Sequence, residues 1–161
     1  MTTATGPSTK HRLENLAARL VITPMLALPY AARIRTFGWV AQHVLGPVSG
    51  VKKRIRANLA HVFPDMPAPE VERMCGAVIN NVARAFIEMF SGAEFVHRMA
   101  DTPLEGPGVA ALDAAHAEGR PVVLVSGHIG NYDVARITLR ARGFNVGGLY
   151  APMRNPLINR R

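Results

Sequence analysis

The stretch "PVVLVSGHIGNYD", residues 121–133, decides the fold that we predict for this chain. Its first five residues form an apolar, largely β-branched run, which is typical of a strand buried on both faces of a parallel sheet. Gly127 and Gly130 then allow the backbone to turn sharply. A helix with apolar residues at helical spacing is expected over 131–142. The order strand, glycine turn, helix indicates an α/β fold.

The sequence on either side of this stretch repeats the pattern. A short helix is expected over 109–118, and "FNVGGLY" over 144–150 is expected to be a second strand. Two earlier helices are expected, over 51–63 and from Pro69 to about Ser91. We therefore predict an α/β fold in which a helical, membrane-associated N-terminus is followed by a mostly parallel sheet flanked by helices. Because only two strands are recognisable, we expect the sheet to be incomplete at the C-terminus.

Composition limits the class of protein. With 161 residues, 48% of them hydrophobic, the chain is long enough for one ordinary domain. The only cysteine, Cys75, excludes an internal disulfide and lies on an apolar helical stripe, which predicts a buried, unreactive thiol. Gly127 and Gly130 lack the spacing of a dinucleotide-binding fingerprint, and the sequence contains no cluster of metal ligands. We therefore predict neither a cofactor nor a metal.

The net charge of +8 is concentrated near the N-terminus, where residues 1–56 carry nine basic side chains and one acidic. Such a surplus predicts an anionic partner: a lipid surface, nucleic acid or an acidic protein. Two uncharged runs, 20–32 and 36–51, enclose Arg33 and Arg35 and are too short to span a bilayer. They favour a helix pair lying at the lipid interface, with arginines reaching the headgroups, over a buried soluble hairpin.

Nucleic acid is the less favoured of these partners. Only 6% of the residues are aromatic. No zinc-finger, RNA-recognition or helix-turn-helix signature is present in the sequence. We therefore predict a membrane surface, and no nucleic acid, as the partner.

The glycine turn carries the candidate chemistry. In α/β sheets the reactive groups gather beyond the carboxyl ends of the strands, which is where His128 is expected. Asp133, in the first turn of the following helix, can bind one ring nitrogen and leave the other free as a base. The helix start near Asn131 points free amide groups at the same place. Ser126 lacks the glycine spacing of a nucleophile elbow, so the base would act on a substrate hydroxyl in direct acyl transfer.

Four blocks of the sequence together resemble a known family. "GHIGNYD" (127–133) resembles the His-x4-Asp/Glu motif of the glycerolipid acyltransferase superfamily, in the form found in bacterial lipid A biosynthesis (lauroyl/myristoyl) acyltransferases. "RANLAHVFP" (56–64), "ARAFIE" (83–88) and "YAPMRNPLINR" (150–160) resemble further segments of that family, in the same order. The agreement of four ordered blocks makes the resemblance specific.

The resemblance implies an O-acyltransferase on the cytoplasmic face of the inner membrane. It implies transfer of a fatty acyl chain from acyl carrier protein, or from acyl-CoA, to a hydroxyl of an anionic lipid A precursor. His128 matches the catalytic base, and Asp133 matches its orienting acid at a position where glutamate is common. The substrate-binding residues implied are Gly127, Gly130, Asn131, Arg154 and Arg160. Ala151 stands where an arginine is usual, and Arg154 is the nearest replacement.

Three segments follow from these observations. We expect a disordered tail over 1–10, a membrane-associated helical segment over 11–51, and the N-terminal part of an acyltransferase α/β domain over 52–161. Two alternatives stay open: a phosphatidylinositol-mannoside-type acyltransferase using acyl-CoA, in which His-x4-Asp is typical, and a truncated membrane-binding fragment without activity.

Overall fold

The computed structural model describes residues 8–127, 129–149 and 155, and these form a helical structure. The four helices predicted over 51–63, 69–91, 109–118 and 131–142 are confirmed to within two residues at each end. The helices are α1 (Thr9–Leu26), α2 (Tyr30–Val40), a π-helical segment (Ala41–Leu45), α3 (Gly46–Val48), α4 (Val51–Val62), α5 (Ala68–Met89), α6 (Ala93–Met99), α7 (Val109–Ala117) and α8 (Asp133–Ala141).

Helix α5 is the centre of the core. It packs against α2, the π-helical segment and α4, and α1 packs on α2. Its buried face repeats every four residues, through Cys75, Ile79, Ala83 and Ile87. The predicted thiol burial is confirmed, because Cys75 has no exposed surface. Ile79, Ala83 and Ile87 form one hydrophobic cluster with four buried residues of α1, α2 and the π-helical segment: Ile22, Ile34, Phe37 and Ala41.

Small residues set the spacing between α5 and the helices that cover it. A Cβ atom on Gly76 would lie 2.8 Å from the side-chain nitrogen of Gln42, and one on Gly38 would lie 2.9 Å from Cγ of Arg84. Asn80 donates a hydrogen bond to Gln42 across the same contact, with 3.1 Å between Nδ2 and Oε1. The glycines therefore allow a close approach that larger residues would prevent.

The predicted parallel sheet is wrong: the described residues contain no strand. Residues 121–127 and 144–149 are irregular, and the side chains of Val123 and Val125 are 89% and 94% exposed. The two segments instead line an open cavity of about 490 Å³, together with residues of α7 and α8. A β-branched run favours an extended backbone, but a strand needs a neighbouring backbone for its hydrogen bonds. The described residues bring no such neighbour to either segment.

Burial also corrects the interpretation of one N-terminal arginine. Arg33 was expected to reach lipid headgroups, but only 7% of its surface is exposed, whereas Arg35 is exposed. In the described part of the chain, no helix combines the length and the hydropathy needed to cross a bilayer. The structure does not test the predicted boundaries of the three segments, and α1 begins at Thr9, inside the predicted tail.

Candidate active site

The structure describes only part of the predicted site. His128, Arg154 and Arg160 lie outside the described residues. Gly127, Gly130, Asn131 and Asp133 lie within them. The geometry of the turn and of the predicted orienting acid can therefore be given, and the roles of the predicted residues stay predictions.

Asn131 lies two residues before the first residue of helix α8 and supplies hydrogen-bond acceptors to its first turn. Its Oδ1 accepts a hydrogen bond from the backbone N–H of Asp133 at 3.2 Å, and its backbone carbonyl accepts one from Val134 at 3.1 Å. Short polar side chains stabilise helix starts in this way, because the first amides of a helix have no intrahelical acceptor. Gly130 precedes it with φ +61°, a left-handed conformation that glycine adopts without strain. The glycine and the asparagine of the motif together place Asp133 in the first turn.

Asp133 is partly buried and already has a cationic partner. Its side chain is 17% exposed, and Oδ1 accepts a hydrogen bond from Nε of Arg136 at 2.9 Å, one helical turn further on. A carboxylate in the first turn also complements the positive end of the helix. A second partner on this carboxylate, such as an imidazole, would have to share it with Arg136 or use Oδ2.

Helix α8 is held in place by α6. Thr138, 1% exposed, donates a hydrogen bond from Oγ1 to the carbonyl of Met99 at 3.1 Å. Ile137 and Leu139 are buried, as the helical spacing predicts, and Arg136 and Arg140 lie on the exposed side. The side chains of Arg136 and Arg140 are therefore accessible to an anionic ligand.

Glu88, at the end of α5, meets the motif from the helical core. Its Oε2 accepts a hydrogen bond from Nδ2 of Asn131 at 2.9 Å, and its Oε1 accepts one from the hydroxyl of Tyr30 at 3.4 Å. Burial and the neighbouring Glu88 carboxylate raise the pKa of Tyr30 to about 12. Two of the four family blocks, "GHIGNYD" and "ARAFIE", are thus joined by a direct hydrogen bond. The sequence assigned Glu88 to a block but gave it no role, and it did not single out Tyr30.

A buried arginine, Arg33, lies over the ring of Tyr30, with its guanidinium carbon 5.8 Å from the ring centroid. Nη1 of Arg33 donates to Oγ of Ser91 at 2.9 Å and to Oε2 of Glu94 at 3.1 Å. Its Nη2 donates to the carbonyls of Leu26 and Leu28, both at 3.0 Å, where α1 ends. The guanidinium therefore satisfies carbonyls at the negative end of a helix and ties the joint between α1 and α2 to α6.

The remaining two blocks also make contacts with neighbouring helices. Arg56, in "RANLAHVFP", forms an ion pair with Glu72, which also binds Nζ of Lys52 at 2.7 Å. These pairs join α4 to α5. Asn155, in "YAPMRNPLINR", is 6% exposed and donates from Nδ2 to the carbonyl of His11 at 3.0 Å and to Oε2 of Glu14 at 3.1 Å. Among residues 8–127, 129–149 and 155, no three His, Cys, Asp or Glu side chains form a group that could hold a metal ion.

The family is shown by comparison with known sequences. The family model for bacterial lipid A biosynthesis acyltransferases matches residues 13–161. The chain therefore belongs to the bacterial lipid A biosynthesis acyltransferase family, and the family predicted from the four blocks is confirmed.

A curated relative agrees with this assignment. The chain is similar to a protein of Haemophilus influenzae (strain ATCC 51907 / DSM 11121 / KW20 / Rd) named lipid A biosynthesis acyltransferase. The two are 23% identical over 132 residues, which cover 82% of this chain and 42% of that protein. The chain thus spans less than half the length of this relative. No solved structure matches this chain significantly.

Proposed function

We propose that the protein transfers a fatty acyl chain from a thioester donor to a hydroxyl of an anionic lipid A precursor, at the cytoplasmic face of the inner membrane. The observation that carries the proposal is the match to an acyltransferase family over residues 13–161, which includes the whole "GHIGNYD" block. The donor is acyl carrier protein or acyl-CoA. Both donors present the same thioester carbonyl, so the chemistry at the site is common to them.

In this mechanism His128 is the general base. Its free ring nitrogen takes the proton of the acceptor hydroxyl as the oxygen attacks the thioester carbonyl. Asp133 accepts a hydrogen bond from the other ring nitrogen and stabilises the imidazolium that forms. The tetrahedral intermediate collapses, the carbon–sulfur bond breaks, and the imidazolium returns its proton to the departing thiolate. One ester forms, one thioester is lost, and no external acid or base is consumed.

The arginines supply the charge that such a reaction needs. Backbone amides at the start of α8 and a cationic side chain can stabilise the developing oxyanion. Arg136 lies beside Asp133 with its side chain 43% exposed, so it can bind anionic groups of the substrate at the mouth of the turn. Arg154 and Arg160 are proposed to bind phosphate of the donor or the acceptor, because guanidinium groups match phosphate oxygens in pairs.

A membrane surface is the proposed location of the acceptor. Trp39 and Val48 are 56% and 83% exposed, and Lys53 and Arg54 are exposed on the adjoining helix. Exposed apolar side chains next to basic ones suit an anionic lipid interface, where each basic residue contributes about 1 kcal/mol. Changing Lys53 and Arg54 together to alanine should weaken sedimentation with anionic vesicles, by about fivefold for each charge. Unchanged affinity for the vesicles would contradict this surface.

The decisive experiment is an acyl-transfer assay with each donor and a panel of lipid acceptors. His128→Ala should reduce transfer by ~10²–10⁴-fold, the usual contribution of a general base. Asp133→Asn should lose nearly as much, whereas Asp133→Glu should retain activity. His97→Ala and Asp113→Asn are matched controls at exposed positions, and they should leave transfer unchanged. Full activity of the His128→Ala variant would refute the assignment of the base.

The acceptor panel also separates the remaining alternatives. Aspartate at position 133, where glutamate is common in lipid A enzymes, favours testing a phosphatidylinositol-mannoside acceptor with acyl-CoA alongside the lipid A precursor. Transfer only to the mannoside would replace the proposed acceptor. Vesicle binding without transfer to any acceptor would identify a membrane-binding fragment without activity.

A further inference from the structure

We propose that Glu88 is a positioning residue for the acyl transfer, holding Asn131 so that Asp133 is fixed in the first turn of α8. The inference rests on the proposed function and assigns a role to a residue that the sequence left without one. Glu88 lies 43 residues before Asn131 in the chain, and only the packing of α5 against the motif turn brings them together.

The chemistry of the two groups determines how the amide is oriented. A carboxylate only accepts hydrogen bonds, whereas an asparagine amide has a donating and an accepting end. Because Glu88 faces Asn131, the Nδ2 end must point to α5, and the Oδ1 end is left to accept from the N–H of Asp133. Without an obligate acceptor at position 88, the amide can rotate and lose the bond that starts α8.

The place of Glu88 on its own helix supports a role beyond helix formation. It lies in the last turn of α5, which ends at Met89. A negative side chain there is unfavourable, because the carbonyl end of a helix carries partial negative charge. The hydrogen bonds from Asn131 and Tyr30 offset that cost. The buried neighbour Ile87, with no exposed surface, holds the backbone in register.

Tyr30 extends the link to the N-terminal helices. Its hydroxyl donates a hydrogen bond to Oε1 of Glu88. Its ring lies under the guanidinium of Arg98, whose carbon is 4.5 Å from the ring centroid. Tyr30 is the first residue of α2, immediately after the joint that Arg33 ties down. One continuous set of contacts therefore connects the joint between α1 and α2 with the start of α8.

The first test does not depend on activity. In the ¹⁵N-labelled protein, the side-chain amide signal of Asn131 is assigned by its loss in Asn131→Asp. Glu88→Gln should shift this signal and speed exchange of its protons with solvent, and Tyr30→Phe should do so to a smaller extent. Glu70→Gln, on an exposed position of the same helix, is the matched control and should leave the signal unchanged. An unchanged Asn131 signal in Glu88→Gln would overturn the proposal.

The second test is kinetic and separates positioning from stability. Glu88→Gln should lower kcat by about tenfold or more while KM changes little, because it removes an interaction that matters in the transition state. The double variant Glu88→Gln with Asn131→Asp reverses donor and acceptor: the introduced amide donates to the introduced carboxylate, which still accepts from the N–H of Asp133. It should recover part of the activity that either single change loses, and its pH–rate profile should shift because the negative charge has moved toward Asp133.

The outcomes distinguish this inference from the proposed function. Wild-type protein that transfers no acyl group to any acceptor refutes the proposed function, and the positioning role with it. An active enzyme in which Glu88→Gln keeps its kcat refutes the positioning role alone. A double variant no faster than its slower parent also refutes it, since restoring the hydrogen bond between positions 88 and 131 should restore part of the activity if that bond positions Asp133.

Discussion

Arg33 offers the sharpest test of the fold, because its sequence context and its structural position predict different behaviour. At a lipid interface, Arg33→Ala would weaken vesicle binding and leave folding stability unchanged. In the structure the guanidinium is buried, with hydrogen bonds to Ser91, Glu94 and the carbonyls of Leu26 and Leu28. Arg33→Ala should therefore reduce stability.

The magnitude follows from the contacts. Breaking a buried ion pair by removing one partner typically costs 3–5 kcal/mol. Glu94 lowers this figure, because its side chain is 39% exposed and keeps Arg98 as a partner. The buried Nε of Arg33 lowers it further, since that atom has no hydrogen-bond partner among the described residues. We expect a loss of about 3 kcal/mol in the free energy of unfolding for Arg33→Ala. Arg33→Lys should lose about half as much free energy of unfolding, because one ammonium group cannot form all the hydrogen bonds that the planar guanidinium forms.

Urea unfolding of the two variants, with Arg35→Ala as the exposed control, measures these losses. The midpoint should fall at constant slope for both Arg33 variants, and the control should stay within about 0.5 kcal/mol of wild type. If Arg33→Ala costs less than about 1 kcal/mol, or no more than Arg35→Ala, the buried network does not exist as described. Vesicle affinity lost together with unchanged stability would restore the interfacial interpretation.

Three further predictions concern the core and two titrating groups. Ile87→Ala should lower the free energy of unfolding by about 2–5 kcal/mol, because the side chain is fully buried. Val82→Ala, at a side chain that is 63% exposed, should lower it by less than about 1 kcal/mol, and equal losses would show that Ile87 is not a core residue. Hydrogen bonds from Arg56 and Lys52, both on α4, lower the pKa of Glu72 to about 2, so the stability that this carboxylate contributes is present above its ordinary pKa of 4.5 and is lost as pH falls toward 2. A Glu72→Gln variant should show a weaker loss of stability on acidification, and an identical loss in both proteins would show that these ion pairs do not contribute. The pKa of Tyr30 is raised from 10.0 to about 12, so its contribution to folding stability is complete below pH 10 and declines between pH 10 and 12. Tyr30→Phe should reduce that loss of stability in alkaline unfolding, and an equal loss in both proteins would contradict the environment described for the phenol.

The candidate site was accessible to sequence reasoning only in part. The glycine, asparagine and aspartate of "GHIGNYD" predict a turn and a helix start through local preferences. In the structure Asn131 accepts a hydrogen bond from the N–H of Asp133, which is the first residue of α8. The partners of those residues were not accessible in the same way. Glu88 meets Asn131 across 43 residues, and the pairing depends on how α5 packs rather than on any local pattern. Arg136 could have been found, since its spacing from Asp133 places it one helical turn away.

The sequence by itself determined the helices and the family. Apolar residues at helical spacing stabilise a helix through contacts close in the chain, so α4, α5, α7 and α8 appear where the periodicity predicts them. Tertiary structure decided the two features that depend on distant neighbours. The apolar run at 121–125 is irregular in the structure, because a strand forms only where another backbone supplies its hydrogen bonds. Arg33, which charge patterning alone would place among headgroups, is buried because carbonyls and a carboxylate from other helices surround it. Helices close their hydrogen bonds within their own segment, whereas strands and buried charges must find their partners elsewhere in the fold.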